Sequence, residues 1–448
     1  MPTPDEDFEE FRELLPETRR ALLHRIAVGQ AEGRTPSLVG AVVRDGKPVW
    51  NGSRSCVDGH APDTDTQYRI GSITKTFAAV LVMRLRDAGK LDLADPVDKH
   101  LGPTAADGLT IAQLLAHTSG LTSETPGPWW ERTPGSLRPE LADVLGGRVH
   151  PAGRRHHYSN PGYALLGAIA ERHHDAPWYE VLRRDVLEPL GMLRTTLLPQ
   201  APHAGGFAVH PYADVMRPEV VVDTGIMAPA GQLWSTAADL CRWAAFLGGF
   251  GDPEVLNPDT LAEMREPAAP EGEYGLGLQL LRTNGRSLAG HTGSMPGFVA
   301  GLWLSPDDSL AGIALANATS GTPAGTIAAD LVRIVADREP VFPQSWQPRS
   351  DDDPALLALT GTWFWGTAPF TLHLRAGRDL ELIPASGRGR GSRLRAEPDG
   401  TWTGLDAYYA GETLRPVHDP SGTLTHLDLG TFIFTRTPYD PDGWSATR

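Results

Sequence analysis

Apolar positions along the chain change their spacing several times, and each change marks a predicted element. Residues 5–32 carry the spacing of an amphipathic helix. The run SLVGAVVRDGKPVWNGSRS places two apolar stretches around Asp45-Gly46, which predicts a β-hairpin. The segment QYRIGS then leads into a long apolar helix, ITKTFAAVLVMRLRDAGKL, which is predicted to end near Gly89.

From about residue 95 to 337, the pattern predicts a helical section, then strands, and then a helix. The section from about 95 to 265 shows helical apolar spacing interrupted by Pro- and Gly-rich loops, and we predict it to be mostly helical. Strand-like stretches follow residue 272, and a helix is predicted at about 323–337. Strands on both sides of a helical middle indicate an α+β fold, in which an antiparallel sheet is flanked by helices and carries a helical insertion.

A change of composition after residue 337 indicates a second domain. Residues 338–354 are rich in Pro and Asp and are interpreted as a linker. From 355 to 448, short strand patterns separated by turn residues about every 8–12 positions predict a small all-β barrel. We therefore predict one domain at 1–337 and a barrel domain at 355–448.

Composition and charge exclude several classes of function. A formal net charge of -15 argues against nucleic acid and against an anionic membrane surface as partners. The cysteines Cys56 and Cys241 are isolated, and the sequence has no CxxC or HExxH spacing, so neither a metal nor another cofactor is implied. The acidic N-terminus lacks the apolar segment of a signal peptide, and we expect a cytoplasmic protein.

The first candidate for chemistry is Ser72-Ile73-Thr74-Lys75, at the start of the long apolar helix. A serine hydroxyl is a weak nucleophile that needs a base, and a lysine three residues later shares its helix face. The chain has only four lysines among its 40 basic residues. Since arginine does not lose its proton and cannot replace a lysine base, this scarcity draws attention to Lys75. The alternative for the motif alone is an N-capping serine followed by a surface lysine.

Two further motifs follow along the chain. In Tyr158-Ser159-Asn160, the phenol can carry a proton, and the amide can hold both Lys75 and a substrate carbonyl. Taken alone, the motif is explained equally well by a buried tyrosine followed by an asparagine that caps a loop. The sequence GHTGS at Gly290–Ser294 falls on a predicted edge strand, where a backbone N–H can complete an oxyanion hole. Alone, His291 is more simply a strand histidine whose hydrogen bonds are satisfied.

Together, the three motifs resemble the SxxK, SDN and KTG signature of β-lactamases and penicillin-binding proteins. The resemblance is to the class C branch with its esterases, D-aminopeptidases and penicillin-binding-protein-type thioesterases, and it covers about 35–337. It implies that Ser72 is the nucleophile, that Lys75 is its base and that Tyr158 protonates the leaving group. It also implies a set of substrate-binding residues: Asn160, His291, Gly293 and Ser294.

One departure from the family pattern concerns the substrate. The family uses the lysine of KTG to help bind an anionic carboxylate, whereas this chain has His291, whose charge depends on pH. We therefore expect weak β-lactamase activity. The resemblance implies a serine hydrolase or acyltransferase that forms an acyl-Ser72 intermediate from peptide, amide or ester substrates, with the backbone N–H groups of Ser72 and Ser294 holding the oxyanion.

Other interpretations stay open. The resemblance includes thioesterases that offload and macrocyclise nonribosomal peptides delivered as thioesters on a carrier protein, and these enzymes carry a C-terminal lipocalin-like domain. A β-lactamase or DD-carboxypeptidase is disfavoured because no export signal is found. A catalytically inactive binding module is disfavoured because all four residues of the first two motifs are intact: Ser72, Lys75, Tyr158 and Asn160.

The barrel domain resembles the lipocalins, since Gly361-Thr362-Trp363 is similar to the GxW motif of their first strand. Arg436, on the predicted last strand, is placed to stack on Trp363 and close the barrel. In the alternative interpretation, Arg436 or aromatic residues near it face the catalytic cleft and bind substrate.

Overall fold

The computed structural model describes residues 13–340 without 58, 60, 105 and 107, and residues 353–438 without 376, 377 and 388. Part of the predicted first helix (5–12) and most of the predicted linker (341–352) lie outside the described residues. The chain divides into two compact units, Met1–Pro343 and Gln344–Arg448.

The first unit is built on a six-stranded antiparallel sheet. The strands of this unit are β1 Ser37–Arg44, β2 Lys47–Ser55, β3 Tyr68–Arg69, β4 Phe207–Val209, β5 Met216–Pro218, β6 Trp234–Ser235, β7 Gln279–Thr283, β8 Arg286–Met295, β9 Phe298–Ser305 and β10 Leu310–Ala316. The large sheet has the order β2-β1-β10-β9-β8-β7, so two of its strands come from the start of the unit and four from its end. β3 pairs with β6, and β4 pairs with β5. The predicted sheet with a helical insertion is confirmed.

Helices cover both faces of this sheet, and the described residues of the unit contain eleven α-helices. They are α1 Pro16–Glu32, α2 Thr74–Asp87, α3 Val97–Leu101, α4 Ile111–Leu115, α5 Leu141–Val144, α6 Asn160–His174, α7 Trp178–Leu182, α8 Ala228–Gly231, α9 Ala237–Ala245, α10 Pro258–Met264 and α11 Ala324–Arg338. α1 and α11 lie on one face of the sheet, and α2 and α9 lie on the other. Within the described part of the chain, no helix combines the length and the apolar character needed to cross a bilayer. Both cysteines are free, Cys56 exposed and Cys241 buried in α9.

The central strands are apolar on both faces because each face is covered. In β1, Leu38 and Val42 lie in a core with α1 and α11, whereas Val39 and Val43 lie in a larger core with α2, α6 and α9. This double burial explains why β1 reads as a continuous apolar run and not as an alternation. At Gly312 the backbone of α11 comes so close that a Cβ atom would lie 2.2 Å from the Ala328 carbonyl oxygen.

The middle section is less helical than predicted. Residues 116–159 contain, besides the four-residue α5, two 3-10 turns and irregular backbone. This stretch is rich in proline and glycine, which interrupt helices whatever the spacing of the apolar residues. The hairpin of β4 and β5 was not predicted either, since its strands are short and half-exposed or exposed.

The second unit is a closed eight-stranded barrel preceded by the short helix α12 Pro354–Leu359. Each strand pairs antiparallel with the next, and the last strand pairs with the first at Phe364 and Thr435. The predicted small all-β barrel of lipocalin-like architecture is thereby confirmed. Its strands are β11 Gly361–Trp365, β12 Ala368–Leu374, β13 Leu380–Pro384, β14 Ser392–Ala396, β15 Trp402–Gly404, β16 Thr413–His418, β17 Leu424–Leu429 and β18 Phe432–Thr435.

Candidate active site

Ser72 and Lys75 meet at the N-terminal end of α2. Ser72 lies in a 3-10 turn, Gly71–Ile73, that runs directly into α2, and Lys75 lies in the first turn of the helix. The Lys75 Nζ atom is 3.0 Å from Ser72 Oγ. This contact follows from the local geometry, because side chains three residues apart lie on the same face where a 3-10 turn continues into an α-helix. Ser72 is partly exposed, whereas Lys75 is fully buried.

The surroundings of Lys75 favour its neutral form. Besides Ser72, its amine contacts Asn160 Oδ1 at 2.8 Å and the Ala230 carbonyl oxygen at 2.6 Å. Burial lowers the pKa of Lys75 to about 7, although negative charges nearby oppose this shift. A neutral amine has two hydrogens for these two acceptors and one lone pair for the Ser72 hydroxyl proton. The geometry therefore suits a general base.

Tyr158 lies against the same pair of residues. Lys75 Nζ lies 4.9 Å from the centre of its ring, and the Ser72 side chain acts on its hydroxyl group. Burial raises the pKa of Tyr158 well above the usual range, so the side chain holds its proton at neutral pH. A protonated phenol next to Ser72 can donate a proton but cannot accept one as a phenolate.

The start of α6 carries Asn160 into the site. Ser159 caps this helix, since its Oγ accepts a hydrogen bond from Gly162 N–H at 3.3 Å. The backbone N–H of Ser159 donates to Nδ1 of the buried His117 at 3.0 Å. His117 has a left-handed backbone (φ 55°) and lies at the end of the turn after α4. The cap and this turn together fix the position from which Asn160 reaches Lys75.

The third motif lies on β8, which is an edge only in part. β7 is the outermost strand and pairs with β8 from Arg286 as far as Gly290. Beyond that point the strand pairing of β8 continues on the β9 side, from His291 to Met295. The prediction of an edge strand is therefore wrong for the strand as a whole but describes its last residues. β7 does not reach further along β8 because it begins at Gln279, directly after the loop that carries Tyr274.

Two glycines bring the end of β8 against the Ser72 turn. A Cβ atom on Gly293 would lie 1.9 Å from the Ile70 carbonyl oxygen, and one on Gly71 would lie 2.5 Å from Ser294 N. Gly71 also has a left-handed backbone (φ 54°), which favours glycine. Met295 pairs with Phe298 across a two-residue turn, which makes it a hydrogen-bonded position of the β8–β9 ladder. Hydrogen-bonded and non-hydrogen-bonded positions alternate along an antiparallel strand. Ser294 N–H therefore points away from β9. The N–H groups of Ser72 and Ser294 thus form a pair of donors.

His291 is placed near this pair but is neutral. Its ring is buried, with Nδ1 2.5 Å from the Thr292 carbonyl oxygen and Nε2 2.9 Å from the Tyr274 hydroxyl. These partners assign the proton to Nδ1, and Nε2 accepts from Tyr274. Burial, with the positive charge of Lys75, lowers the pKa of His291 to about 3. His291 therefore lacks the positive charge that a lysine would supply at this position.

Glu124 belongs to the site but was missed in the sequence. Its Oε1 atom accepts from Asn160 Nδ2 at 2.9 Å, and its Oε2 atom accepts from Trp130 Nε1 at 2.7 Å. The Ala230 carbonyl was missed as well. Glu124 lies on an irregular segment and Ala230 in the short helix α8, both distant in sequence from Lys75, so no spacing along the chain indicates these contacts. The available signal was their place in the sequence: Glu124 lies three residues after LLAHTSGL, and Ala230 lies within PAGQLW, two stretches that resemble the family.

Arg436 lies in the barrel unit. Its guanidinium carbon is 3.8 Å from the centre of the Trp363 ring, and Nη1 donates to the carbonyl oxygens of Thr360 and Thr362 at 2.9 and 3.1 Å. A further hydrogen bond goes to the Ala358 carbonyl. These contacts correspond to the barrel-closing arrangement considered above.

A buried lysine whose amine contacts a serine hydroxyl, at the start of a helix that packs on an antiparallel sheet, is the arrangement of one class of protein: the serine β-lactamases and penicillin-binding proteins. Comparison with known families agrees. Residues 22–337 match the family described as Beta-lactamase, and the chain belongs to this family of serine hydrolases. Residues 352–436 match a domain of unknown function, DUF7586.

Individual relatives are similar in sequence or in structure. Penicillin-binding protein 4 of Amycolatopsis lactamdurans is 29% identical over 68% of this chain and 86% of its own length. A D-stereospecific amidohydrolase from Streptomyces sp. has a TM-score of 0.56 at 26% identity, covering 72% of this chain and 99% of its own. A structure described as SurE with D-Leu has a TM-score of 0.57 at 26% identity, covering 94% of this chain and 100% of its own.

Several curated relatives are matched over only part of their length. In three of them, at 28% to 33% identity, the aligned region spans 47% to 59% of the relative's own chain. The chain thus covers about half of these proteins.

Proposed function

We propose that this protein is a serine acyl-transfer enzyme that works through an acyl-Ser72 intermediate and hydrolyses amide, peptide or ester substrates. The observation that carries the proposal is the contact of 3.0 Å between Lys75 Nζ and Ser72 Oγ. Burial lowers the pKa of Lys75 to about 7, so about half of the amine is neutral at neutral pH.

In the first half-reaction, Ser72 Oγ attacks the substrate carbonyl carbon while its proton passes to Lys75 Nζ. The carbonyl oxygen becomes an oxyanion that accepts hydrogen bonds from the N–H groups of Ser72 and Ser294. The bond to the leaving group then breaks, and the leaving nitrogen or oxygen takes the proton of the Tyr158 hydroxyl. Lys75 then gives its proton to the Tyr158 phenolate, next to which it lies, which leaves a neutral amine, a protonated phenol and an acyl ester.

In the second half-reaction, water attacks the acyl ester. Lys75, neutral again, accepts a proton from the water, and Ser72 leaves as an alcohol that regains this proton. An amine in place of water would give acyl transfer by the same steps. The Asn160 side chain accepts from Lys75 at Oδ1 and donates to Glu124 from Nδ2. Because Glu124 fixes the Asn160 amide, this amide holds the lysine in place in both half-reactions.

The comparisons support amides as substrates. One relative is described as a D-stereospecific amidohydrolase, and another structure holds D-Leu. We therefore include substrates with D-amino acids among those to test first. The neutral His291 supports the expectation that β-lactams and DD-peptides, which carry a carboxylate, are poor substrates.

The test is covalent labelling of the full chain with an activated ester of a simple uncharged acid, followed by mass spectrometry. We expect one acyl group on Ser72 in the wild type and none in Ser72→Ala. Ser421→Ala, which removes an exposed hydroxyl in the barrel unit, is the matched control and should label like the wild type. Full labelling of Ser72→Ala would refute the proposal.

Macrocyclisation and the cytoplasmic location are two further predictions. Macrocyclisation of a peptidyl thioester would need an amine of the peptide to replace water, and incubation with such a thioester would show it. Linear acid as the sole product would count against it. The cytoplasmic location also stays a prediction.

A further inference from the structure

One end of the barrel carries aromatic side chains around an arginine. Since consecutive antiparallel strands turn alternately at the two ends, the connections β11–β12, β13–β14, β15–β16 and β17–β18 lie at the same end, which we call the barrel mouth. Four residues at or beside these connections form the mouth cluster: Trp365, Arg390, Tyr408 and Phe432. At the opposite end, α12 leads into β11 and packs Leu356 and Leu359 into the barrel core. A helix therefore closes one end of the barrel, and the mouth cluster lies at the other.

Two of the aromatic side chains lie over the barrel interior. Alternate residues of a strand point to the same side. Trp365 follows the buried Trp363 by two positions, and Phe432 precedes the buried Phe434 by two. Both rings therefore belong to the inward-facing rows of their strands, yet Trp365 is 38% exposed and Phe432 is half-buried. Because side chains fill the interior below them, a ligand would bind on this surface and not inside the barrel.

The rings of the mouth cluster hold one another in place. Phe432 meets Trp365 edge to face, with 5.5 Å between the ring centres, and meets Tyr408 in the same way at 5.8 Å. Such contacts fix the orientation of each ring. Tyr408 is nevertheless 56% exposed. Aromatic groups that are both exposed and in contact are typical of binding surfaces, whereas an exposed ring by itself needs no explanation.

Arg390 lies among these rings. Its guanidinium carbon is 4.0 Å from the centre of the Tyr408 ring, 5.1 Å from that of Phe432 and 5.5 Å from that of Trp365. The side chain is half-buried and also acts on the hydroxyl group of Tyr409. An aromatic face attracts a cation but has no net negative charge. The rings therefore hold the guanidinium without neutralising it.

No carboxylate forms an ion pair with Arg390 within the described part of the barrel. The next two arginines of the chain, on β14, are both paired, Arg393 with Asp406 at 2.7 Å and Arg395 with Glu397 at 3.1 Å. A guanidinium has five N–H donors in a planar fork, and a tyrosine hydroxyl cannot occupy them all. Arg390 thus keeps both a positive charge and donors for a ligand.

The charges around the mouth indicate the sign of that ligand. The segment 382–396 contains four arginines and no acidic residue, although the chain as a whole has a formal net charge of -15. In the β15–β16 connection, Asp406 pairs with Arg393, and the carboxylate of Glu412 lies beside Gly430. One guanidinium fork matches one carboxylate, and the rings next to it match an aromatic or other apolar group.

We propose that the mouth cluster is a binding site for a carboxylate attached to an aromatic or other large apolar group, in which Arg390 pairs with the carboxylate and the three rings contact the apolar group. Two kinds of molecule have this chemistry: a small aromatic acid and the C-terminal residue of a peptide. Binding at this site does not depend on acyl transfer at Ser72.

The test is a ligand-observed NMR titration of the full chain as Ser72→Ala, so that no probe is turned over. Indole-3-acetate carries the ring and the carboxylate, indole-3-acetamide keeps the ring without the charge, and acetate keeps the charge without the ring. We expect indole-3-acetate to bind at least about tenfold more tightly than either of the others. Equal affinity for the acid and the amide would overturn the proposal, as would equal affinity for indole-3-acetate and acetate.

A second pair of probes distinguishes the two sources of the carboxylate. A short glycine-rich peptide that ends in tryptophan is titrated with a free and with an amidated C-terminus. We expect the free acid to bind more tightly than the amide. A free peptide acid that binds more tightly than indole-3-acetate would identify a peptide C-terminus as the ligand, and the reverse order would identify a small acid.

Variants locate the binding. Arg390→Gln should reduce the affinity for indole-3-acetate by about 10- to 100-fold and change that for indole-3-acetamide little. Arg390→Lys keeps the charge without the planar fork and should retain part of the affinity. Tyr408→Ala should weaken the acid and the amide alike, because it removes a ring. Arg395→Gln is the matched control, since it removes one positive charge from the same barrel, where Arg395 pairs with Glu397. It should bind like the parent Ser72→Ala protein.

Unchanged affinity for indole-3-acetate in Arg390→Gln would place the acid elsewhere on the chain and would overturn the inference. A melting curve of each variant shows whether the barrel is folded. If Arg390→Gln does not fold, Arg390→Lys and the comparison of acid, amide and acetate on the unchanged barrel still decide. Failure of the proposed function would look different, because it would appear in the labelling of Ser72 and not in these titrations.

Discussion

Gly293 passes so close to Ile70 that a Cβ atom on the glycine would lie 1.9 Å from the Ile70 carbonyl oxygen. The same Cβ atom would lie 3.2 Å from Ser72 N. β8 and the turn before α2 are thus in direct backbone contact, with no side chain between them. This contact is what pairs the N–H groups of Ser72 and Ser294.

Gly293→Ala should therefore separate the two oxyanion donors. The backbone at Ile70 must shift to admit the methyl group, and removal of one oxyanion donor typically lowers kcat by about 10²- to 10³-fold. We expect a loss of that order in steady-state hydrolysis of an uncharged ester. Gly147→Ala is the control, since a Cβ atom there meets nothing within 4 Å. Near-normal kcat in Gly293→Ala would contradict the assigned donor pair.

The pH dependence of kcat/KM should follow Lys75. Burial lowers its pKa to about 7, and the neutral amine is the base. With an uncharged ester, kcat/KM should fall about tenfold per pH unit well below 7 and level off above it. His291→Gln should leave the midpoint unchanged, because burial already keeps His291 neutral down to about pH 3. A midpoint that moves in this variant would assign the titration to the histidine.

The burial of Lys75 should also appear in the stability of the protein. The pKa of this amine is about 7 in the folded protein and near its ordinary value, 10.5, in the unfolded chain. Between these values the unfolded chain binds more protons, so the free energy of unfolding should rise with pH, by up to about 1.4 kcal/mol per unit. Below about pH 7 this contribution no longer changes.

Lys75→Met should remove this rise and abolish hydrolysis. The slope with pH, and not the absolute stability, is the measure, because methionine also leaves Asn160 Oδ1 and the Ala230 carbonyl without their donor. Urea denaturation of both proteins at pH 7, 8 and 9 gives the slopes. Equal slopes would show that Lys75 is not desolvated in the folded protein.

The parts of the site that the sequence predicted are local or follow from the family motifs. Ser72 and Lys75 are three residues apart, and the 3-10 turn at the start of α2 turns that spacing into a contact. Glu124 has no such relation to Asn160, because the irregular segment between α4 and α6 alone decides where its carboxylate lies. Such a segment has no periodicity that a sequence pattern could reveal.

The charge state of His291 could not be predicted from the sequence for a different reason. The residue type allows either charge state near neutral pH, and the choice depends on burial and on the hydrogen bond with Tyr274, a residue outside all three motifs. The fold shows the same division. The sheet and the barrel follow from apolar runs and turn residues, whereas the helix content of the insertion was overestimated because proline and glycine interrupt the periodic segments.

Arg436 supplies a last prediction, on the barrel unit. Its guanidinium stacks on the Trp363 ring and donates to backbone carbonyls at Thr360 and Thr362, ahead of and within the first strand. Arg436→Ala removes these donors and should destabilise the barrel unit by about 1–3 kcal/mol. Arg436→Lys should not restore it fully, because an ammonium group cannot reproduce the planar fork.

The measurement is thermal unfolding of the full chain, read by tryptophan fluorescence, with hydrolysis of a small uncharged ester assayed in parallel. Arg395→Ala, which removes an exposed ion pair with Glu397 in the same barrel, should change the melting temperature little. We expect Arg436→Ala to lower the melting temperature while kcat for the small ester stays near the wild-type value. An arginine that closes the barrel should affect the melting temperature more than substrate affinity. If the melting temperature does not change and the KM for larger peptide substrates rises, Arg436 would instead be a substrate-binding residue.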